Sequence, residues 1–113
     1  MNIDTLTYRN DVGKIAQKLP AVVAATSYGT PAFKADKKLM ARLKEDGKTL
    51  VVYSPDRDSW MKKNPLTFFI TDHYKDYPMM LIDLVTVKKK DLEILLRTSW
   101  KMRASAKMLR EMK

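Results

Sequence analysis

Arg97 and Lys101 stand four residues apart, and Arg103, Lys107 and Arg110 follow at spacings of four and three. On a helix such spacing lines cations along one side. A row of cations at these separations can meet several phosphates of a polyanion. A second set is interleaved with rings: Lys34, Lys37, Lys38 and Lys75 lie among Tyr28, Phe33, Tyr53, Tyr74 and Tyr77. Rings that stack on bases beside cations that hold phosphates are the working parts of single-strand binders. The competing reading makes the first set a solvated helix face and the rings core or loop anchors. No segment reads as a recognition helix with base-specific side chains. Any nucleic-acid contact is therefore expected at the phosphate backbone, with little sequence selectivity.

Other chemistries find less material. His73 is the only histidine and no cysteine is present. A catalytic histidine needs an orienting carboxylate and a nucleophile, and no nucleophile-elbow pattern occurs. His73 is instead expected to bond a backbone group in its loop. One histidine with scattered carboxylates is not a metal-ligand set. Gly29 and Gly47 do not form a phosphate-cradling loop, and Glu45 and Asp46 read as turn residues. The expectation is a protein without catalytic residues, metal or cofactor, and not an enzyme.

These residues must be carried by 113 residues, enough for one domain spanning 1–113. The 45% apolar content is that of a globular chain. Net charge is +9, and it is uneven: Lys88 to Lys113 holds nine basic and three acidic residues, the remainder 13 and 10. A concentrated positive field draws nucleic acid, anionic surfaces or acidic proteins. No stretch has the ~18 apolar residues of a membrane span, and Met1-Asn2-Ile3-Asp4 lacks the basic start of a leader. A cytoplasmic location without membrane partner is the expectation.

Tyr8, Val12, Ile15, Ala16 and Leu19 share one helical face, and Leu19-Pro20 stops that helix. Val22 to Ser27 reads as a strand, placed at a sheet edge by Gly29 and Pro31. Lys34 to Lys38 is expected as a polar loop. Leu39, Ala41 and Leu43 alternate with basic residues, a half-buried strand with a basic outer face. Asp46-Gly47 signals a two-residue hairpin turn into Thr49–Ser54, and the Lys38–Ser54 hairpin is expected to project as a wing. Ser54 and Pro55 start a short helix. Leu66–Thr71 and Met79–Val87 are strands. Leu92, Leu95, Leu96, Ser99 and Trp100 share one face of a last helix, whose stripe shifts after Arg103. A straight continuation would bury charge, so a break near Arg103-Ala104 is expected, with Ser105 capping a further short helix. The fold class is α+β: a two-layer sandwich with a mostly antiparallel five-stranded sheet packed on helices, order α-β-β-β-α-β-β-α(-α).

Thr26-Ser27-Tyr28-Gly29-Thr30-Pro31-Ala32-Phe33, Asp72-His73-Tyr74-Lys75-Asp76-Tyr77-Pro78, and Ser99-Trp100-Lys101 with Ala104 and Lys107 together resemble the MmcQ/YjbR family of small bacterial proteins. With Leu19-Pro20 the resemblance runs along nearly the whole chain. Val23, Ala24 and Ala25 stand where the family often has acidic residues, and Ser105 where it commonly has proline. The resemblance implies a fold like that of type III secretion chaperones, grouped with frataxin-like folds, and a DNA-binding role through a double-wing shape. It makes Tyr28, Gly29, Pro31, Phe33, His73, Tyr74, Pro78 and Trp100 structural positions. Iron binding, which a frataxin-like grouping suggests, does not fit a basic chain without a dense acidic helix face. DNA is thus the first expected partner, met by Lys34, Lys37, Lys38, Lys75, Arg97, Lys101, Arg103, Lys107 and Arg110. The alternative is a protein-interaction adaptor of secretion-chaperone-like shape, with its methionines supplying an adaptable surface.

Overall fold

A computed structural model describes residues 3–19, 22–27, 29–35 and 37–104, with residues 3–9 and 27 by backbone only. Helix α1 (Ile3–Gln17) is followed by strands β1 (Val23–Ser27), β2 (Thr30–Ala35), β3 (Lys38–Leu43) and β4 (Thr49–Tyr53). Then come α2 (Arg57–Lys63), the short strand β5 (Phe68–Phe69), a 3-10 turn at Asp72–Tyr74, β6 (Met79–Asp83) and α3 (Lys89–Arg103). The sheet has six strands rather than five, in the order β1-β2-β3-β4-β6-β5, with every pairing antiparallel. The α+β class stands. The extra strand arises because Gly29, at φ +79°, turns the chain between two paired strands instead of interrupting one. β1 is an edge strand, as Gly29 and Pro31 imply.

The core lies between one face of the sheet and the helices. Val12, Ile15 and Ala16 of α1 and Leu92, Leu95, Leu96 and Trp100 of α3 meet Leu50, Val52, Met80 and Ile82. Strand alternation sends Val51, Met79 and Leu81 to the other face, where Leu39, Tyr53, Phe69 and Tyr74 pack on them. β4 and β6 are thus buried on both sides.

The expected alternation of β3 fails at Met40. Phe33 pairs with Ala41 and Lys34 with Leu39, which leaves Met40 as an extra residue on β3. This bulge puts Met40 and Ala41 consecutively into the core and turns Leu39 to the far face. Arg42, opposite Val51, keeps to that far face but is not a solvated cation there. Arg42 is buried, donating to Thr30 Oγ1 (3.0 Å) and Glu45 Oε1 (3.2 Å). The hairpin of β3 and β4 sits mid-sheet under α3 and is not a projecting wing.

The turns also differ from expectation. β3 and β4 are joined by a longer loop closed by Lys44 N–H to Thr49 O (2.8 Å), with Gly47 alone at positive φ. Asp46 serves as its acceptor: Oδ1 receives the N–H groups of Lys48 (2.8 Å) and Thr49 (2.9 Å), and Oδ2 the Thr49 hydroxyl (2.7 Å). Lys34 and Lys38 belong to β2 and β3, so most of the expected polar loop is strand, with Lys37 the described residue between the two. α2 begins at Arg57, after Ser54 Oγ has bonded Asp56 Oδ1 (2.7 Å). α3 ends at Arg103 and Ala104 is extended, at φ −69° and ψ 147°. The break falls where the stripe shifts. The further helix after Ser105 lies outside the described residues.

Candidate nucleic-acid interface

Antiparallel pairing fixes which loops share an end of the sheet. β2 ends at Ala35 and β3 begins at Lys38, with Lys37 just before it. β4 ends at Tyr53, opposite Met79 at the start of β6. The loop 72–78 therefore lies at this same end, tied in by Ser54 N–H to Pro78 O (2.8 Å). α3 points its C-terminus here too. Ser99 Oγ donates to Met40 O (3.0 Å), and Arg103 Nε to Leu39 O (3.1 Å). Lys37, Lys38, Lys75 and Lys101 are thereby gathered at one end of the molecule, all exposed.

Arg57 shapes the 72–78 loop. Its guanidinium donates to the carbonyls of Tyr74 (2.8 Å), Lys75 (2.7 Å) and Met79 (2.9 Å), and also to that of Tyr77. One fixed fork of donors thus reaches three carbonyls of a loop without strand pairing and a fourth at the start of β6. With its backbone turned inward on Arg57, the loop presents side chains outward. His73 meets Tyr74 edge-on at 4.6 Å between ring centroids and Tyr77 at 6.2 Å. Tyr74 is half-buried against the far-face cluster, whereas His73 is exposed and Tyr77 is 57% exposed. The backbone bond expected for His73 is replaced by ring contacts.

Lys37 occupies the left-handed region at φ 66°. A non-glycine residue there costs about 1 kcal/mol, and glycine would avoid it. The turn keeps a cation at its tip in spite of that cost.

The remaining expected contacts divide. Lys34 is half-buried in β2. Arg103 is half-buried with its guanidinium over the Tyr53 ring, 3.6 Å from the centroid. These contacts tie the helix end to the sheet and answer how a charge sits on the apolar stripe. Arg97 is exposed one turn before Lys101 and lines a groove against α1. Lys107, Arg110 and Tyr28 lie outside the described residues. Phe33 and Trp100 are core residues, and Pro31 is half-buried beside the open edge. Pro78 anchors the loop base through its carbonyl. Gly29 is at the opposite end of the sheet from His73, so the opening motif and the loop motif do not converge on one pocket.

Arg57 escaped the sequence reading. Its only signal was a charged residue just after Ser-Pro-Asp, where many residues would serve. Lys14, Lys18, Lys89 and Lys90 were counted as net charge but not as lining residues; the contact between α1 and α3 that brings them together is long-range.

Among the described residues no group of histidine and carboxylate side chains is arranged to hold a metal ion. Among the same residues no helix is long and apolar enough to cross a membrane. No family model, curated protein or solved structure matches the chain.

Proposed function

We propose that this is a non-enzymatic, cytoplasmic DNA-binding protein of the MmcQ/YjbR type, holding the phosphate backbone with little sequence selectivity. The observation that carries the reading is the gathering of Lys37, Lys38, Lys75 and Lys101 at one end of the sheet beside the exposed rings of His73 and Tyr77. Cations flanking presented rings suit a flexible single strand, whose bases can turn onto the rings while its phosphates meet the lysines. A duplex would use the lysines alone.

The test is fluorescence anisotropy with labelled single- and double-stranded oligonucleotides across about 50 to 200 mM salt. Binding should weaken steeply with salt, and the single strand should bind more tightly than the duplex. Lys37→Glu, Lys38→Glu and Lys75→Glu combined should flatten the logarithmic salt slope by about 2, since each phosphate contact contributes roughly 0.7 to 0.9. Tyr77→Ala should narrow the gap between the two oligonucleotides. Absence of binding at the lowest salt, or an unchanged slope in the triple variant, would overturn the assignment.

A further inference from the structure

Along the outer side of the helix layer, α1 and α3 enclose a groove of about 450 Å³ that continues into a second depression of about 320 Å³. Its floor is aliphatic, made by Ile15, Leu19 and Ile94. Lys18, Lys90 and Arg97 stand on its rim, and Lys14 and Lys89 extend the rim onward. Among the described residues two carboxylates, Asp11 and Glu93, oppose these five cations. Among the described residues, none of the five forms an ion pair.

Ile94 is the unexpected member. α3 already buries Leu92, Leu95, Leu96, Ser99 and Trp100 on its core side. Ile94 stands away from that face, 42% exposed. On a helix it shares a side with Lys90, Arg97 and Lys101, at steps of four, three and four. Packing against the sheet does not account for it.

We infer that this groove docks an acidic amphipathic helix of a partner protein. Two helices side by side offer parallel ridges and no open strand edge, which suits a third helix better than an extended peptide. Aliphatic side chains of the incoming helix would cover Ile15, Leu19 and Ile94, while its glutamates and aspartates meet Lys18, Lys90 and Arg97. Nucleic acid matches the rim but not the floor, since among the described residues no ring lines the groove and a sugar-phosphate chain gains little from aliphatic contact. Residues 105–113 of the chain carry Lys107, Arg110 and Lys113 against Glu111, the wrong sign for this rim. A second copy would set cation against cation. The inference uses a surface separate from the sheet end and does not depend on the oligonucleotide reading.

The probe is a fluorescein-labelled helical peptide with Leu along one face and Glu on the flanks, compared with polyglutamate and with a scramble that disperses the Leu. The amphipathic peptide should bind at least tenfold more tightly than either control. Ile94→Asp should weaken it at least tenfold, with folding checked by circular dichroism. If that variant does not fold, the combined Lys18→Glu and Arg97→Glu variant decides. It should lose the acidic peptide and accept one with Lys in place of Glu. Methyl resonances of Ile15, Leu19 and Ile94 should shift on titration. No binding, equal binding of polyglutamate or the scramble, an unaffected folded variant, or displacement of the peptide by an oligonucleotide that shifts those same methyls would each overturn the inference.

Discussion

The two cationic regions of this protein are built differently, although α3 contributes to both. At the sheet end, Lys37 and Lys75 sit on turns, beside Lys38 at the start of β3 and Lys101 on α3. Lys37, just ahead of β3, is at positive φ, and the 72–78 loop is drawn onto Arg57. In the helical groove, the cations sit on rigid helices around an aliphatic floor. The first arrangement is the one proposed for a polymer whose charge is its constant feature. The second presents a shape that charge alone would not fill. Net charge of +9 describes both equally and separates neither.

Arg57→Ala should separate them most sharply. Four carbonyls lose their charged donor, though water can reach some of them, so a cost of about 3 kcal/mol is expected. Urea unfolding measures that cost. Oligonucleotide affinity should fall because the rings of the 72–78 loop are no longer held, while affinity for the acidic peptide stays. Loss of both affinities in the folded variant would show that the regions are one surface.

Ser99→Ala addresses the helix that joins them. It leaves the bulged Met40 carbonyl without its hydroxyl donor inside the core, at a cost of about 1 to 2 kcal/mol. The melting temperature should drop while both binding activities persist at low temperature. A binding loss at one site alone would mean that α3 sets that site's geometry through this bond.

Gly13→Ala tests the groove from the α1 side. A Cβ there would meet Phe33 Cζ at 3.9 Å, an ordinary contact. The substitution should therefore stabilise α1 by about 1 kcal/mol, seen as a raised urea midpoint. Peptide affinity should hold or rise slightly, and oligonucleotide affinity should not move.

The smallest effect lies at the end of the sheet away from Lys37. Burial pushes the Asp46 carboxyl up, but the Lys48 N–H and the Thr49 hydroxyl and N–H outweigh it and hold it below the ordinary aspartate value. A depressed pKa in the folded state stabilises above the unfolded value of about 4 and loses that effect as pH falls through and below it. Asp46→Asn should thus narrow the stability difference from the wild type on acidification from about pH 5 to pH 3. The span should be under about 1 kcal/mol, because the carboxylate is exposed and screened. An unchanged difference across that range would mean the loop bonds form equally well to a protonated side chain.

What was legible in the sequence follows from how locally each feature is decided. The apolar faces of α1 and α3 repeat within a few residues, so Val12, Ile15, Leu92, Leu95 and Trp100 could be placed inward before any partner was known. The end of α3 at Arg103 was legible for the same reason: the stripe changes phase there. The Met40 bulge was not, because an extra residue is defined only against β2, and a period of two read along β3 alone carries through it unbroken. Arg42 and Arg103 show the matching limit for charge. Both looked like solvated cations, yet one bonds Thr30 across the β2–β3 pair and the other lies over Tyr53. Lys37, Lys38, Lys75 and Lys101 could be named singly; their common location depends on antiparallel pairing over residues far apart in the chain.

The Arg57 clamp also bears on the order in which the chain is assembled. Its bonds close segments of 17 to 22 residues with one side chain. Until α2 has formed and aimed that guanidinium, the 72–78 backbone has only its own short turns and the Ser54–Pro78 bond, so the loop is a late structure even though its closures are short. In the native ensemble the two should open together. The amides of Tyr74, Tyr77 and Met79 should then exchange with solvent at a rate shared with α2, and the rings of the loop would be presented or withdrawn together with that helix.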